Sequence, residues 1–303
     1  METLKNAALA LLLAAFAAAL LLFPSEAAEA ARQSVQLCLH TVLPALFPFF
    51  VLSSLLVAFG GAQVFGRALE PFMRPLFHLS GAGAAALALG LVGGYPVGAR
   101  TAAELYRGGC LPRKEAERLL AFCSNAGPGF ILGVCGTAVL HSTRAGLYLY
   151  LVHVAAAVLT GVILCRLTGG ENTAARPPRR AQGQNLAAAF PAAVRDSFAA
   201  AWSVCGFVVI FAVVLRYVTL LLPPNPLLVG FVELTNGVLS LSADRRGFTL
   251  CAVFLAWGGL SVHAQTLSVL EDSGLSARFY FLGKAMQAAL SAPLAWLVSN
   301  TLY

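Results

Sequence analysis

Four strings of glycine, proline and polar residues lie inside apolar segments of this chain rather than between them. They are Gly93-Gly94-Tyr95-Pro96, Ser124-Asn125-Ala126-Gly127-Pro128-Gly129, Glu233-Leu234-Thr235-Asn236-Gly237 and Gly258-Gly259-Leu260-Ser261-Val262-His263-Ala264-Gln265. Glycine and proline interrupt helices, the first by its backbone freedom and the second by its missing N–H. In hydrocarbon each unpaired backbone group costs several kcal/mol. Such strings therefore persist at membrane depth only where protein or a water-filled cavity satisfies the freed groups. Composition places the segments there: of 303 residues, 59% are hydrophobic and 11% charged. A soluble domain carries about 25% charged residues. Apolar runs of about 18 residues or more recur, enough to cross a layer about 30 Å thick. The chain is expected to be an all-α, polytopic membrane protein whose first partner is the lipid bilayer.

Several other classes are disfavoured. The net charge of +7 sits mainly in short loops beside apolar runs, where it acts as an orientation signal. Aromatics do not interleave with the basic clusters, so no nucleic-acid partner is expected. The seven cysteines are scattered without a C-x-x-C pair, and neither a disulfide framework nor a metal site follows. There is no G-x-x-x-x-G-K-[ST] phosphate loop, no H-E-x-x-H and no G-x-S-x-G. Ser261 and His263, two apart, diverge by about 200° on a helix and make a poor hydrolytic pair. The expectation is a protein that is not an enzyme and needs no cofactor.

Residues 1–31 read as a first transmembrane helix or signal anchor, because the apolar run at 4–23 exceeds the roughly 7–15 residues of a cleaved signal core. A first repeat spans 32–167. It holds a span at about 34–60 kinked by Pro44 and Pro48, a re-entrant hairpin at 81–107, a broken helix at 114–141 and a plain span at 145–167. A basic linker at 168–190, with Arg176-Pro177-Pro178-Arg179-Arg180, reads as cytoplasmic. The second repeat, 191–303, has a span at 195–222, a hairpin at 227–243, a broken helix at 247–271 and a last span at 278–302. Each half thus reads span, re-entrant hairpin, broken span, span. Counting crossings opens the first hairpin to the cytoplasm and the second to the outside. That is an inverted-topology repeat, in which transporters place a site between the halves. The N-terminus falls in the cytoplasm of a bacterial cell membrane.

The side chains at the four breaks form the expected substrate-binding set: Tyr95, Ser124, Asn125, Glu233, Thr235, Asn236, Ser261, His263 and Gln265. They suit a small, neutral, polar solute, with Glu233 as the acid among them. Tyr95 alternatively stabilises its turn, Asn125 and Asn236 cap helix ends, and His263 packs. Lys284 is expected to snorkel to the cytoplasmic interface, and Arg100 with Glu104 to form a pair one helical turn apart.

These strings, together with Val97-Gly98-Ala99 and Glu115-Ala116-Glu117-Arg118-Leu119-Leu120, resemble the sporulation integral membrane protein YlbJ family from about residue 35 to the end. That family falls within the nucleoside-recognition or Gate group, with concentrative nucleoside transporters, the membrane part of ferrous-iron transporter B and spore maturation proteins. The resemblance implies an endospore-forming bacterium and a hairpin-plus-broken-helix core; it does not deliver a substrate, a nucleoside-like solute being one candidate among small polar ones. Four breaks at matched positions of the two halves point to a secondary transporter or permease of a small polar solute, the alternative being a non-transporting scaffold for spore envelope assembly; a homo-oligomer stays open. The GTPase domain of the iron transporter has no counterpart in the sequence.

Overall fold

The computed structural model describes residues 2–59, 61–169, 186–223 and 225–303, all of whose regular elements are helical. The arginine cluster of the expected linker lies outside the described residues. Among the described residues five helices are long and apolar enough to cross a membrane: Pro24–Leu56, Thr143–Leu167, Ala187–Leu221, Arg245–Ser273 and Arg278–Ser299. A bent pair, Arg67–Phe77 with Gly81–Gly93, turns through 119° and counts as a sixth only if read as one span. The protein is an all-α, multi-pass membrane protein.

The N-terminal helix α1, Glu2–Leu22, is followed after Phe23 by α2, Pro24–Leu37. The expected boundary at 31–32 falls inside α2, since Pro24 at the first helical position starts a new helix. This helix runs on through a π-turn at Cys38–Val42 into α3, Leu43–Ala58. Pro44 lacks an N–H, and the ladder answers just upstream by a wider turn in which the Leu43 N–H reaches the Cys38 carbonyl. Next comes α4, Gly61–Phe77, in the stretch between the span at about 34–60 and the hairpin at 81–107 to which the sequence reading gave no element. Its apolar Leu69, Met73, Leu76 and Phe77 recur at helical spacing and pack on the core, while Arg67, Glu70 and Arg74 face outward.

The first hairpin consists of α5, Ala84–Gly93, and α6, Val97–Arg107. Between them Gly94 takes φ 78°, open to glycine, and the Tyr95–Pro96 peptide is cis. The first broken span is α7, Arg113–Cys123, then an extended stretch, then a π-helical segment at Gly129–Val139. Ser142 caps α8, Thr143–Leu167, by accepting the Ala145 N–H.

In the second half α9 covers Leu186–Leu221, nine residues earlier at its start than the 195 expected. The second hairpin is α10, Pro226–Val232, and α11, Leu234–Leu239, joined at the extended Glu233. The second broken span is α12, Arg245–Trp257, and α13, Gly259–Leu270, and α14, Arg278–Ser299, closes the fold. This break is narrower than the sequence suggested. The chain turns only at Gly258 (φ 91°) and at Gly259 (φ 74°), which opens α13, so Ser261, His263 and Gln265 stand on that helix.

Two large buried clusters form most of the core. One joins first-half residues, including Phe77 stacked on Phe122 at 4.6 Å, to Leu270, Leu275 and Tyr280; the other joins Tyr95, Phe130 and Val134 to Leu234, Phe254 and Val262 of the second half. The four breaks meet in this second cluster.

Candidate solute site between the two halves

Within each half the hairpin tip lies on the broken span. A Cβ at Gly94 would stand 2.9 Å from the Gly127 amide nitrogen, and one at Gly259 would stand 2.9 Å from that of Leu234. The absence of side chains at these contacts lets main chain meet main chain, so the polar groups freed by each break face one another. The two pairs then converge. A cavity of about 50 Å³ is walled by Gly94 and Tyr95 of the first tip, Ala126 and Gly127 of the first broken span, Glu233 and Thr235 of the second tip, and Gln265 of α13. Val42, Phe50, Val204 and Val208 of the flanking spans complete an apolar rim. Two wider cavities, of about 430 and 310 Å³, adjoin it and share Pro96, Arg100, Asp196 and Ala200 with each other.

Of the nine residues expected from sequence, Tyr95, Glu233, Thr235 and Gln265 line the small cavity. Asn236 and Ser261 serve Glu233. That carboxylate is buried and caps α11: one oxygen accepts the Thr235 N–H at 3.1 Å and the Ser261 hydroxyl at 3.2 Å. The other accepts the Asn236 backbone N–H at 2.7 Å and side-chain amide at 2.8 Å. A helix N-terminus favours such a carboxylate.

Ser124 and Asn125 lie behind the cavity wall in a second polar cluster. Asn125 Nδ2 donates to the Phe122 carbonyl at 2.8 Å, and its Oδ1 accepts from Gln287 Nε2 at 3.0 Å. The Ala126 N–H donates to His153 Nε2 at 3.1 Å. The Ser124 carbonyl accepts from Lys284 Nζ at 2.6 Å. His263 turns elsewhere: its Nδ1 is 2.8 Å from the Tyr280 hydroxyl, and the rings of Trp257 and Phe281 close around it. It does not line the cavity, so it packs against its neighbours.

Lys284 does not snorkel. Its side chain is fully buried, with Nζ also donating to the Tyr95 hydroxyl at 3.0 Å and to Gln287 Oε1 at 2.7 Å. Snorkelling requires an open path along the helix to the interface. Gly283 instead brings α14 so close to α7 that a Cβ there would collide with the Ala121 backbone, and the adjacent lysine points at the break. Sequence reasoning misplaced Lys284 at the interface and missed Gln287 and His153. The signal present was Lys284 and Gln287 at i and i+3, two long polar side chains on one face of an apolar span. Arg100 and Glu104 pair at 3.2 Å on the exposed face of α6, as their spacing implied.

With this geometry in hand, comparison with known proteins is informative. Residues 39–165 match the Gate family, described as nucleoside recognition. The matched Gate segment contains α3, the first hairpin, the first broken span and α8, that is, one complete half of the polar core. The chain is also 27% identical to the sporulation integral membrane protein YlbJ of Bacillus subtilis (strain 168), across 92% of this chain and 79% of that protein. That similarity reaches beyond the Gate segment into the second half. Both findings bear out the resemblance read in the sequence. No solved structure matches.

Proposed function

We propose that this protein is a secondary transporter that carries a small polar solute across the membrane by alternating access. The observation that supports this reading is the shared cavity, to which both hairpin tips and both broken spans contribute wall. Interrupted helices at the interface of two repeats are the usual construction of a midplane solute site. As it stands the cavity, about 50 Å³, has room for a few waters. A nucleoside-sized solute enters only once the tips part. The side-chain amide of Gln265 and the hydroxyl of Thr235 offer donors and acceptors to a neutral polar solute, while Glu233 and Tyr95, whose polar atoms are held by protein partners, shape the wall. In this reading the linker is cytoplasmic and the two halves are inverted. The name of the YlbJ relative further suggests a role in the membrane of a sporulating bacterial cell.

Reconstitution into proteoliposomes with a panel of nucleosides, amino acids and metal ions tests the proposal. The expected outcome is uptake of at least one solute above empty vesicles, abolished by Glu233→Gln and weakened by Asn236→Ala. The glutamine would place an amide N–H₂ against groups that already donate. No uptake of any solute, with both variants supporting sporulation like the wild type, would overturn the proposal in favour of a non-transporting scaffold for spore envelope assembly.

A further inference from the structure

We infer that the Lys284 ammonium is a built-in cation: a tethered charge filling the seat at the first helix break where a transporter would otherwise bind a coupling ion. This deepens the transporter reading and rests on it only for one arm of the test below.

The argument starts from the end of α7. That helix stops at Cys123, and Ser124 is extended, with φ −95° and ψ 104°. The last carbonyls of a helix lack partners within it and together carry about half a negative charge. Asn125 satisfies the Phe122 carbonyl, and Lys284 Nζ takes that of Ser124 at 2.6 Å. The remaining two ammonium protons go to the Tyr95 hydroxyl and to Gln287 Oε1. An ammonium has three donors, and here every one has an oxygen.

Those oxygens are a main-chain carbonyl, a phenol and an amide, each from a different element and none ionised. No ion pair among the described residues includes Lys284. A buried charge without a counter-ion usually marks function. Here the compensation comes from neutral oxygen dipoles and a helix C-terminus, the ligand type with which broken transporter helices hold sodium.

The seat also has mechanical reach. Tyr95 belongs to the tip of the first hairpin, Ser124 to the first broken span, and the Tyr95 hydroxyl donates to the Leu255 carbonyl at 3.0 Å, near the end of α12. One ammonium thus ties the first hairpin to its broken span and, through Tyr95, to the second half. It stands behind the cavity wall, so it fixes Tyr95 without occupying the solute's space. A tethered ammonium cannot be exchanged for a bulk ion, so sodium does not drive this seat.

The test is thermal unfolding of the purified full-length protein in choline, sodium and ethylammonium chlorides at equal ionic strength. The wild type is expected to unfold at the same midpoint in all three. Lys284→Ala is expected to unfold lower in choline, whose quaternary nitrogen has no N–H to give, and to recover part of the loss in ethylammonium or sodium. Lys284→Met, which refills the aliphatic space and leaves the oxygens bare, is expected to respond to sodium alone. A purely packing role for the side chain would give no cation selectivity. Lack of any selective recovery in both variants, failure of both to fold in every salt, or stabilisation of the wild type by sodium would each overturn the inference. Where wild-type uptake is found, it is expected to run equally with choline or sodium outside, and a sodium requirement would overturn the inference. Absence of uptake bears on the transporter reading alone and leaves the unfolding measurements to decide.

Discussion

Glu233 and Lys284 carry opposite charges into the apolar interior, and each is stabilised without the other. An acid at the centre of a membrane helix costs about 2.5–3.5 kcal/mol on insertion scales. Glu233 offsets this with four donors, two of them main-chain N–H groups that α11 would otherwise leave unpaired. Removing the carboxylate orphans them, at about 1–3 kcal/mol for each buried group left without a partner. Glu233→Ala is therefore expected to lower the unfolding midpoint in detergent more than Asn236→Ala, which leaves three of the four bonds in place. Equal midpoints for the two variants would show that the cap contributes nothing. At this scale the sequence was half legible. Glu233 stood out because it sat in a glycine-containing break. Lys284 did not, because a lone lysine in an apolar span looks the same whether it reaches the interface or the core. Its fate was decided by the neighbouring Gly283, whose meaning depends on α7, more than 150 residues away in the chain.

The two hairpins are closed by the same device. In the first, Gly90 and Gly98 face each other across the arms and both back onto the Cys123 carbonyl. In the second, Gly237 backs onto Gly230, and a Cβ at Gly230 would meet the Phe254 ring at 2.6 Å. Each pair of arms is thereby pressed onto the first helix of its own broken span. Small residues at helix contacts let backbones approach in membrane proteins, and an added methyl has no space to enter. Gly98→Ala and Gly237→Ala are each expected to destabilise by about 1–3 kcal/mol through overpacking. Gly206→Ala on α9, where a Cβ would meet nothing within 4 Å, is the matched control and is expected to be neutral or stabilising. Comparison of the three midpoints checks this. The hairpins were legible as interrupted apolar runs, whereas α4 was not, because Arg67, Glu70 and Arg74 break up its apolar run although Leu69, Met73, Leu76 and Phe77 keep helical spacing. The second break was read too wide because Leu260 to Gln265 alternate apolar and polar residues without a further glycine or proline. That pattern is compatible with helix once the two glycines have made the turn.

At the scale of the whole molecule the described conformation has a narrow centre and a wider approach on one flank. The small cavity shares Gln265 and Val204 with one larger cavity and Phe50 with the other, so both larger cavities border it. The larger two are bordered by Asp196, ten residues into α9 from the linker, and one of them also by Cys110, in the turn before α7. Both landmarks belong to the flank that the crossing count assigns to the linker side. The approach has an exposed ion pair, Arg100 with Glu104, and an apolar wall from Phe50 and Leu89. It ends against Pro96, directly after the Tyr95 that Lys284 holds in place. If this arrangement is the resting state, reagents from the linker side should reach the approach but not the centre. In a Cys110→Ser background the other six native cysteines are buried. A membrane-impermeant maleimide applied to that face is then expected to label Thr101→Cys and Ser203→Cys and to spare Thr235→Cys. A transported solute that opens the centre to this flank is expected to raise labelling at Thr235→Cys alone. Labelling of all three at one rate without solute would mean that the hairpin tips do not close the path, and Tyr95 would then have no gate to hold.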